Sequence, residues 1–539
     1  MPVADKVTTG FGPLHVTSIF DLLFNKNPNH IPDDAPIYIS SNRTVTFGEL
    51  PTLIRTCAYN LQEKFNIQKG DVVAIRSIQN IDYPLVLHGV MYAGGVFACV
   101  KHAPEDTVDT IADDLETVNP KVFITDFEGR DIALQAAAKV GIAPSHIIVI
   151  GDTSIEGLAK VEDVLFEKGH LATPMEYSLD DFENFPLYLF YTSGSTGKRK
   201  VIPTSLKALL HLIEGHYPNQ RRHDRILANR PFYFSSCAYF DFFMPIVHGD
   251  RVYISRAETT DEICQAIEAY GITTFASPPY IVARMAKEEI SKRYRLPSLK
   301  LVMSMGSVIT KQTVQLATEQ FGAPVVNLYG TSEFYVPFDF SPSISAMGAS
   351  GTIKSGYTAR LVDEHDRDVA PGERGEFLIK GPTVMKGYYN NPEKTAEAFT
   401  QDGFYRTGDV FIRDKDGLFW FVSRCKNLMK YYSTHIYSYE LEKVILNHPK
   451  VADCAVLGIY SQELSTELPR AYVSLVYQKD YANRESIAEE ILAYANAQLN
   501  PMKQIRAGVV VRESLYRTPS GKILYDALKQ EVEREQRVQ

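Results

Sequence analysis

The chain has no cysteine framework and no long basic tract, and these absences exclude several classes of protein. Its six cysteines stand far apart at positions 57, 99, 237, 264, 425 and 454, without a CxxC pair. This pattern excludes a disulfide-rich secreted scaffold and a zinc module, and it favours a reduced, cytoplasmic protein. The net charge is −9. Without a basic tract, nucleic acid is not expected as a partner.

Targeting signals and membrane spans are also lacking. The first residues, MPVADKVTTG, contain no basic stretch followed by an apolar core, so no signal peptide is expected. The terminal REQRVQ is not a peroxisomal address. Tyr83–Val100 imitates a membrane span, but Pro84 and the Gly94-Gly95 pair interrupt it. We predict a buried helix, a glycine turn and a buried strand there, and no span.

With 539 residues, the chain is long enough for two or more domains. Over the first four hundred or so residues, short apolar runs alternate with helix-like segments, which indicates parallel sheets flanked by helices. The predicted strands are 71–75, 121–125, 146–150, 271–275 and 299–304, with a helix at 262–270.

The pattern changes from about Gly351 to short strands with glycine turns, which predicts a small β-barrel-like subdomain. The last hundred or so residues indicate an α+β unit, with helices at 439–446 and, from a capping-box spacing at Ser486–Glu489, up to Leu499. We therefore predict an α/β protein. Its large N-terminal domain spans residues 1–425, and a small mobile C-terminal domain spans 426–539.

One local stretch, LYLFYTSGSTGKRKVIPTS at Leu187–Ser205, combines an apolar strand, a run of small residues and three basic residues. Glycines that tolerate positive φ, together with hydroxyl donors, allow main-chain amides to surround a phosphate. A flexible exposed loop is the alternative. The P-loop motif GxxxxGK[ST] is excluded, because Thr192 replaces its first glycine and Arg199 its Ser or Thr.

Other stretches have side chains suited to ligand chemistry, although each is weak alone. NLYGTSEF could stack a base and bind Mg²⁺ through a carboxylate, or it could be an N-capped helix start at Thr331 or Ser332. GFYRTGDV could hold ribose hydroxyls or be an ordinary turn. A rigid turn in RTPSGKI presents one lysine, which could equally be an inert surface residue. These stretches lie at 327–334, 403–410 and 517–523, and SRCKNLMKYYSTHIYSYELE lies at 423–442.

In order and spacing, these stretches together resemble the adenylate-forming superfamily of acyl- and aryl-CoA synthetases, firefly luciferase and peptide-synthetase adenylation domains. The similarity runs from Thr46-Phe47-Gly48-Glu49-Leu50 to Lys522, nearly the whole chain. YTSGSTGKRK resembles the family's YTSGTTGxPK, with Arg199 in place of the proline. YGTSE, GERGEFLIKGPTVMKGYY, YRTGD and PSGKI follow in family order. The most similar members are acid–CoA ligases of the 4-coumarate–CoA ligase type.

The resemblance implies ATP, Mg²⁺ and CoA as cofactors. It implies that Glu333 binds Mg²⁺, that Ser332 lies near the α-phosphate, and that Tyr329 lies against adenine. Asp409 and Arg424 would hold the ribose. The phosphate-binding residues would be Thr192, Ser193, Gly194, Ser195, Thr196, Gly197 and Lys200.

Three further lysines receive roles from the resemblance. Lys522 would bridge the substrate carboxylate and the α-phosphate, Lys430 would act in the active site, and the C-terminal domain would rotate about Lys426. The acyl pocket would be lined by Phe234, Tyr239, Met305, Gly306, Ser307, Gly330 and Phe334. For Tyr239, a place in the core is an equal alternative. Ser236 stands where peptide-synthetase domains carry an Asp, so an α-amino acid is not expected.

The expected function is ATP-dependent activation of an aryl or medium-chain carboxylic acid to an acyl-adenylate, followed by transfer to the thiol of CoA. One alternative is a stand-alone adenylating enzyme that delivers the acyl group to a carrier-protein thiol or an amine. A luciferase-like oxygenase and a non-catalytic nucleotide-binding regulator are two others. Retention of Lys522 disfavours the regulator, which would need no adenylation lysine.

Ser433 generates the first prediction, because the family typically carries glycine there, where the pantetheine arm passes close to the backbone. If the Ser433 side chain narrows the thiol tunnel, Ser433→Gly should speed thioester formation and leave adenylation unchanged. Acyl-CoA formation measures the first rate, and acid-dependent ATP–pyrophosphate exchange measures the second. If neither rate changes, Ser433 does not restrict the tunnel.

Overall fold

The computed structural model describes residues 8–9, 12–13, 20, 23–24, 29–192, 198–214, 223–307, 309–432, 434–517 and 522–538. The chain forms two compact units that interleave along the sequence. The first unit contains Met1–Glu258, Ser332–Tyr335 and Pro382–Glu397; the second contains Thr259–Thr331, Val336–Gly381 and Ala398–Gln539. The predicted division at residues 425 and 426 stays a prediction.

The helices and strands are numbered in chain order. The strands are β1 (Thr8–Thr9), β2 (Gly12–Pro13), β3 (Pro36–Ile39), β4 (Thr44–Thr46), β5 (Val72–Arg76), β6 (Val96–Cys99), β7 (Val122–Thr125), β8 (Ile147–Val149), β9 (Ala159–Lys160), β10 (Pro186–Tyr191), β11 (Val201–Ser205), β12 (Arg225–Ala228), β13 (Arg251–Ile254), β14 (Thr274–Ser277), β15 (Leu301–Met305), β16 (Val325–Leu328), β17 (Phe338–Asp339), β18 (Thr352–Ile353), β19 (Thr358–Val362), β20 (Arg374–Lys380), β21 (Tyr405–Arg413), β22 (Phe419–Arg424), β23 (Leu428–Tyr431), β24 (Thr434–Tyr437), β25 (Val451–Ser461), β26 (Thr466–Leu475) and β27 (Val509–Val511). The helices are α1 (Leu50–Phe65), α2 (Asp82–Tyr92), α3 (Val108–Val118), α4 (Arg130–Lys139), α5 (Val161–Val164), α6 (Leu179–Asn184), α7 (Leu206–Glu214), α8 (Ser235–Cys237), α9 (Met244–His248), α10 (Thr260–Tyr270), α11 (Pro279–Lys287), α12 (Lys311–Phe321), α13 (Pro342–Met347), α14 (Pro392–Ala398), α15 (Ser438–Leu446), α16 (Arg484–Gln498) and α17 (Tyr525–Val538).

A seven-stranded sheet organises the first unit, in the order β11-β10-β6-β5-β7-β8-β9. Its neighbouring strands are parallel, except for the antiparallel pair β10 and β11. Strands β5 to β8 are buried along their whole length, as continuous apolar strands are when helices cover both faces of a sheet. The predicted strands 71–75, 121–125 and 146–150 are confirmed with small shifts at their ends.

The apolar stretch that imitates a membrane span folds as predicted. Buried α2 ends at Tyr92, Gly94 turns the chain with φ 84°, and buried β6 follows. Among the described residues, no helix is long and apolar enough to cross a membrane.

The second unit contains three kinds of sheet. Strands β14, β15 and β16 pair in parallel. Strands β19 to β22 form a four-stranded antiparallel sheet, which is the predicted β-rich subdomain. Near the C-terminus, β25 pairs with β26 in antiparallel and β26 with β27 in parallel, and α15, α16 and α17 accompany these strands. The predicted α/β class is therefore confirmed.

Two local predictions are wrong, and one open alternative, a helix start at Thr331 or Ser332, is excluded. Helix α16 begins at Arg484, and its N-cap residue Asn483 makes no side-chain capping bond, so the capping box at Ser486–Glu489 is not used. The predicted strand at 271–275 begins only at Thr274, because Gly271 caps α10 with φ 58°. Residues 331–335 form a turn instead of a helix start.

Gly351 provides a stability prediction. Its φ is 134°, and a Cβ atom there would lie 2.2 Å from the carbonyl oxygen of Asp339. Gly351→Ala must therefore shift backbone, which we expect to cost about 2–4 kcal/mol in unfolding free energy and to lower the thermal unfolding midpoint by several degrees. Gly169→Ala is the matched control, since no atom of the described residues lies within 4 Å of the position that a methyl group would take there. Equal midpoints by calorimetry would contradict the clash.

Candidate active site

The glycine-rich loop is closed at its base by main-chain bonding. Strands β10 and β11 pair up to Tyr191 and Val201, and the Thr192 amide then donates to the Lys200 carbonyl oxygen at 2.8 Å. The Thr192 hydroxyl is buried and has no hydrogen-bond partner among the residues that the structure describes. A buried hydroxyl of this kind can donate to an oxygen-rich ligand. The predicted loop residues Ser193, Gly194, Ser195, Thr196 and Gly197 lie outside the described residues.

The three basic residues after the loop have different partners. Lys198 pairs with the exposed carboxylates of Asp113 and Glu116 on α3, at 3.2 and 3.1 Å. Arg199 pairs with two buried carboxylates of the same region. Lys200 instead donates to the neutral hydroxyl of Tyr388 at 2.9 Å, with its Nζ 4.2 Å from the centre of the ring. Its charge is therefore held in place without being neutralised by that hydroxyl.

The turn at Ser332–Tyr335 belongs to the first unit, and hydrogen bonds hold its two central residues. The Met385 amide donates to the Glu333 carbonyl at 2.7 Å, and the Thr383 hydroxyl donates to the Phe334 carbonyl at 2.8 Å. Tyr335 has φ 56°, a strained value for an aromatic residue. Its buried hydroxyl contacts those of Thr204 and Tyr188, at 2.9 and 3.2 Å, which holds the turn in this conformation.

Ser332 is bonded to a residue that was given no role in the sequence analysis. Its hydroxyl lies 2.8 Å from the hydroxyl of Ser235, the first residue of α8. The neighbouring Ser236 accepts a bond from Arg230 at 2.8 Å, and Arg230 forms a buried ion pair with Asp241 at 2.7 Å. Asp241 lies within a π-helical turn at Ala238–Phe243, a feature frequent at functional sites.

The predicted ribose residues come together in the second unit. Asp409 on β21 and Arg424 on β22 are register partners, and Arg424 Nε lies 3.1 Å from Asp409 Oδ1. The Tyr329 hydroxyl donates to Asp409 Oδ2 at 2.7 Å. Burial, followed by the charge of Asp409, raises the pKa of Tyr329 well above its ordinary value, so the tyrosine remains a donor. Its ring packs against Phe411, with centroids 4.9 Å apart.

The predicted pocket residues divide between the two units. In the first unit Phe334 and Tyr239 are buried and Phe234 is half-buried. The Tyr239 hydroxyl donates to the Leu212 carbonyl at 3.4 Å, and its ring lies 4.7 Å from that of Phe240, which favours the core alternative. In the second unit Met305 and Gly330 are half-buried, and Gly306 and Ser307 are exposed. The pocket itself stays a prediction.

The three predicted lysines of the C-terminal region lie in the second unit. Lys426 is exposed on a 3₁₀ turn, 3.9 Å from Asp526. Lys430 lies on β23, where Glu467 accepts from its amide at 2.6 Å. Lys522 is half-buried next to Ile523, which bridges to Arg517. Ser433 lies outside the described residues.

Glu333 is the carboxylate predicted to bind Mg²⁺. Among the described residues there is no group of three His, Cys, Asp or Glu side chains that could hold a metal ion. Mg²⁺ commonly binds one or two protein carboxylates together with substrate phosphates and water. A single carboxylate on a fixed turn fits that mode of binding, so Glu333 could hold a magnesium ion that arrives with a nucleotide.

Sequence reasoning missed Thr383, Met385 and Tyr388 as positioning residues, and also Ser235. The first three lie in the quoted stretch GERGEFLIKGPTVMKGYY, which was used for the resemblance without assigning roles to its residues. Met385 makes its contact through its main-chain amide, which no side-chain pattern indicates. For the remaining residues, the signal that the sequence offered was the order of the motifs along the chain.

Known proteins match the chain over most of its length. The family described as AMP-binding enzyme matches residues 24–389, and AMP-binding enzyme C-terminal domain matches residues 440–522. A phenylacetyl-CoA ligase of Aspergillus niger is 27% identical over 513 residues, covering 91% of this chain and 93% of that protein.

Solved structures share the fold. An anthranilate CoA ligase in complex with anthranoyl-AMP has a TM-score of 0.84 at 21% identity, covering 96% of this chain and 98% of that chain. An amide bond synthetase from Marinactinospora thermotolerans has a TM-score of 0.78 at 21% identity, covering 92% and 97%. The resemblance inferred from the motifs is thus confirmed: the chain belongs to the AMP-binding enzyme family, whose members are adenylate-forming enzymes.

Proposed function

We propose that this AMP-binding enzyme is an acid–CoA ligase. It uses ATP to convert an aryl or medium-chain carboxylic acid to an acyl-adenylate, and then transfers the acyl group to the thiol of CoA. AMP and pyrophosphate are the other products. The site residues retain the roles given by the resemblance, with Lys200 and Glu333 acting on the phosphates and Asp409 on the ribose.

The different partners of the three basic residues carry this proposal. Carboxylates of the α3 region neutralise Lys198 and Arg199, whereas Lys200 bonds a neutral hydroxyl. A cation held in this way can still compensate the charge of a phosphate. The segment that supplies Tyr388 also supplies Met385, whose amide fixes Glu333. One segment thus holds a phosphate-binding cation and the magnesium-binding carboxylate.

The chemistry follows from charge. In the first step a carboxylate oxygen bonds to the α-phosphorus of ATP while the bond to pyrophosphate breaks, so two anions must approach each other. Lys200 and Lys522 offset this repulsion and stabilise the charge on the leaving pyrophosphate. Bound Mg²⁺ would add charge neutralisation at the phosphates. In the second step the CoA thiolate attacks the acyl carbonyl and AMP departs.

The class of acid is proposed from two observations. Three of the seven predicted pocket residues, Phe234, Tyr239 and Phe334, are aromatic, and Phe234 packs on Tyr233 with ring centroids 4.7 Å apart. Apolar and aromatic walls bind apolar acids. A relative with 27% identity is a phenylacetyl-CoA ligase, which supports an aryl acid. Ser236 is already bonded to Arg230 and supplies no carboxylate for an amino group.

An amine is an alternative acceptor to CoA, because the same fold is found in an amide bond synthetase. Delivery to an amine or a carrier-protein thiol would use the same first step. A cytoplasmic location also stays a prediction. It is supported by the six free cysteines, five of which are buried, since a reducing compartment keeps thiols in this state.

The proposal is tested by incubating the pure protein with ATP, Mg²⁺ and a panel of aryl, medium-chain and amino acids, with and without CoA. We expect AMP release to depend on CoA, and an acyl-CoA product with an aryl or medium-chain acid. Bound acyl-adenylate without CoA turnover would favour the carrier-protein or amine acceptor. If no acid in the panel supports AMP formation, the ligase proposal is wrong for these acid classes.

The Lys522 role generates a second prediction. Lys522→Ala should reduce adenylation by about 10²-fold or more, because it removes a charge that acts in the transition state. The variant should still convert a supplied acyl-adenylate to acyl-CoA at the unaltered rate. ATP–pyrophosphate exchange and single-turnover thioester formation measure the two half-reactions. Equal loss of both would refute the role.

A further inference from the structure

Four charged side chains are buried together where the chain leaves the glycine-rich loop. The Arg199 guanidinium contacts Asp106 and lies 2.5 Å from Asp114, and Arg76 lies 3.5 Å from the second oxygen of Asp106. The exposed fractions are 12% for Arg199, 0% and 2% for the two aspartates, and 1% for Arg76. Two positive and two negative charges thus compensate one another out of water. We call these residues the charge quartet.

The charge quartet joins four parts of the first unit. Arg76 ends the central strand β5, Asp106 precedes α3, Asp114 lies within α3, and Arg199 precedes β11. The Ala103 amide donates to Asp106 at 2.8 Å, and the Tyr191 hydroxyl donates to the Asp114 carbonyl at 2.8 Å. Helix α3 therefore contacts both Tyr191, which precedes the loop, and Arg199, which follows it.

Arg199 is also where the chain departs from the proline typical of the family. Proline stiffens a backbone through its fixed φ. Arginine has no such restriction, but a buried, doubly paired guanidinium holds its backbone through the side chain. The next residue is Lys200, whose carbonyl receives the Thr192 amide. Fixing Arg199 therefore fixes the backbone of the lysine that acts on the phosphates.

We propose that Arg199 and Asp114 are positioning residues for ATP, whose ion pair sets the placement of Lys200 and makes the KM for ATP depend on the ionisation of Asp114. The inference rests on the proposed function, because it takes the phosphate-binding role of Lys200 from there. Neither residue needs to contact the nucleotide.

The pH dependence has a definite sign. Burial raises the pKa of Asp114 to about 7, although Arg199 opposes the rise. The groups that face this carboxyl are Arg199, Asp106, Lys101 and Tyr191. Above pH 7 the carboxylate is charged and the pair with Arg199 is complete. As the pH falls through 7 the carboxyl takes a proton, the pair weakens, and Lys200 loses part of its support.

Acid-dependent ATP–pyrophosphate exchange between pH 6 and 8.5 tests the inference in wild type, Asp114→Asn and Asp109→Asn. We expect the wild-type KM for ATP to rise about three- to tenfold on acidification. Asp114→Asn should have the raised KM already at pH 8, little further change at pH 6, and an unaltered KM for the acid. Asp109→Asn should follow wild type, because Asp109 is an exposed residue of α3 that pairs with Lys139.

The outcomes separate positioning from a structural role. A structural role would lower the amount of active enzyme and leave the KM for ATP and its pH profile unchanged, which would overturn the proposal. A profile that persists in Asp114→Asn would assign the titration to another group and would also overturn the proposal. Arg199→Lys should retain the pH dependence with a raised KM, since it keeps the charge and loses the double contact.

The same variants distinguish this inference from the proposed function. If wild type shows no acid-dependent exchange with any acid, the proposed function fails. Calorimetric titration of each variant with ATP and Mg²⁺ at pH 6 and 8 then takes the place of KM. A wild-type dissociation constant that rises about three- to tenfold on acidification, and is unresponsive to pH in Asp114→Asn, would support the positioning role. Identical constants in the two proteins at both pH values would refute it.

Discussion

Two main-chain hydrogen bonds from one returning segment, residues 382–397, are the constraint on which the candidate site in the first unit depends. The Met385 amide holds the carbonyl of Glu333, and the Tyr389 amide holds the carbonyl of Val201. Because the bonds are made by the backbone, the path of the chain at residues 382–397 helps to fix Glu333 and Val201, the residue that follows Lys200. Two side chains of the same segment add further contacts. The Thr383 hydroxyl bonds the carbonyl of Phe334, next to Glu333, and the Tyr388 hydroxyl bonds Lys200.

Electrostatic balance explains how a protein with a net charge of −9 can bind an anion. Long-range attraction is unfavourable, so binding depends on local, preorganised cations. While Asp114 is ionised, the buried charge quartet is neutral overall and therefore contributes geometry more than electrostatic potential. Buried ion pairs often contribute little net stability. Their presence is explained when they fix the position of a neighbouring residue. Here the position is that of the neighbouring lysine.

Much of the fold could be predicted from the sequence, because the central strands of a parallel sheet are continuous apolar runs with clear ends. Strands β5, β7 and β8 and the α2-turn-β6 segment follow that rule. The start of α16 could not be predicted in this way, since it depends on the preceding 3₁₀ turn at Gln478–Asn483. The assignment of segments 332–335 and 382–397 to the first unit depends on contacts that are distant in sequence.

The candidate site also combines residues that could be predicted from the sequence with contacts that could not. Motif order indicated Lys200, Glu333 and Asp409, because phosphate and ribose chemistry needs those side chains. The pairing of Asp409 with Arg424 and Tyr329 arises from strand register and an aromatic cluster, so it became visible only in the structure. In the sequence, Arg199 is visible only as a departure from the family's motif. In the structure, its ion pairs with Asp106 and Asp114 restrict the backbone where the family has proline.

Interleaving of the two units also has a consequence for the order of events during synthesis. Lys200 and its partner Tyr388 are 188 residues apart. At typical translation speeds about 10–40 s separate their appearance from the ribosome. During that interval the main sheet of the first unit can form, whereas Lys200 still lacks Tyr388 and the turn at Ser332–Tyr335 still lacks Thr383 and Met385. The nascent protein can therefore complete its main sheet well before these contacts form, and a chain that stalls before residue 383 would lack all of them.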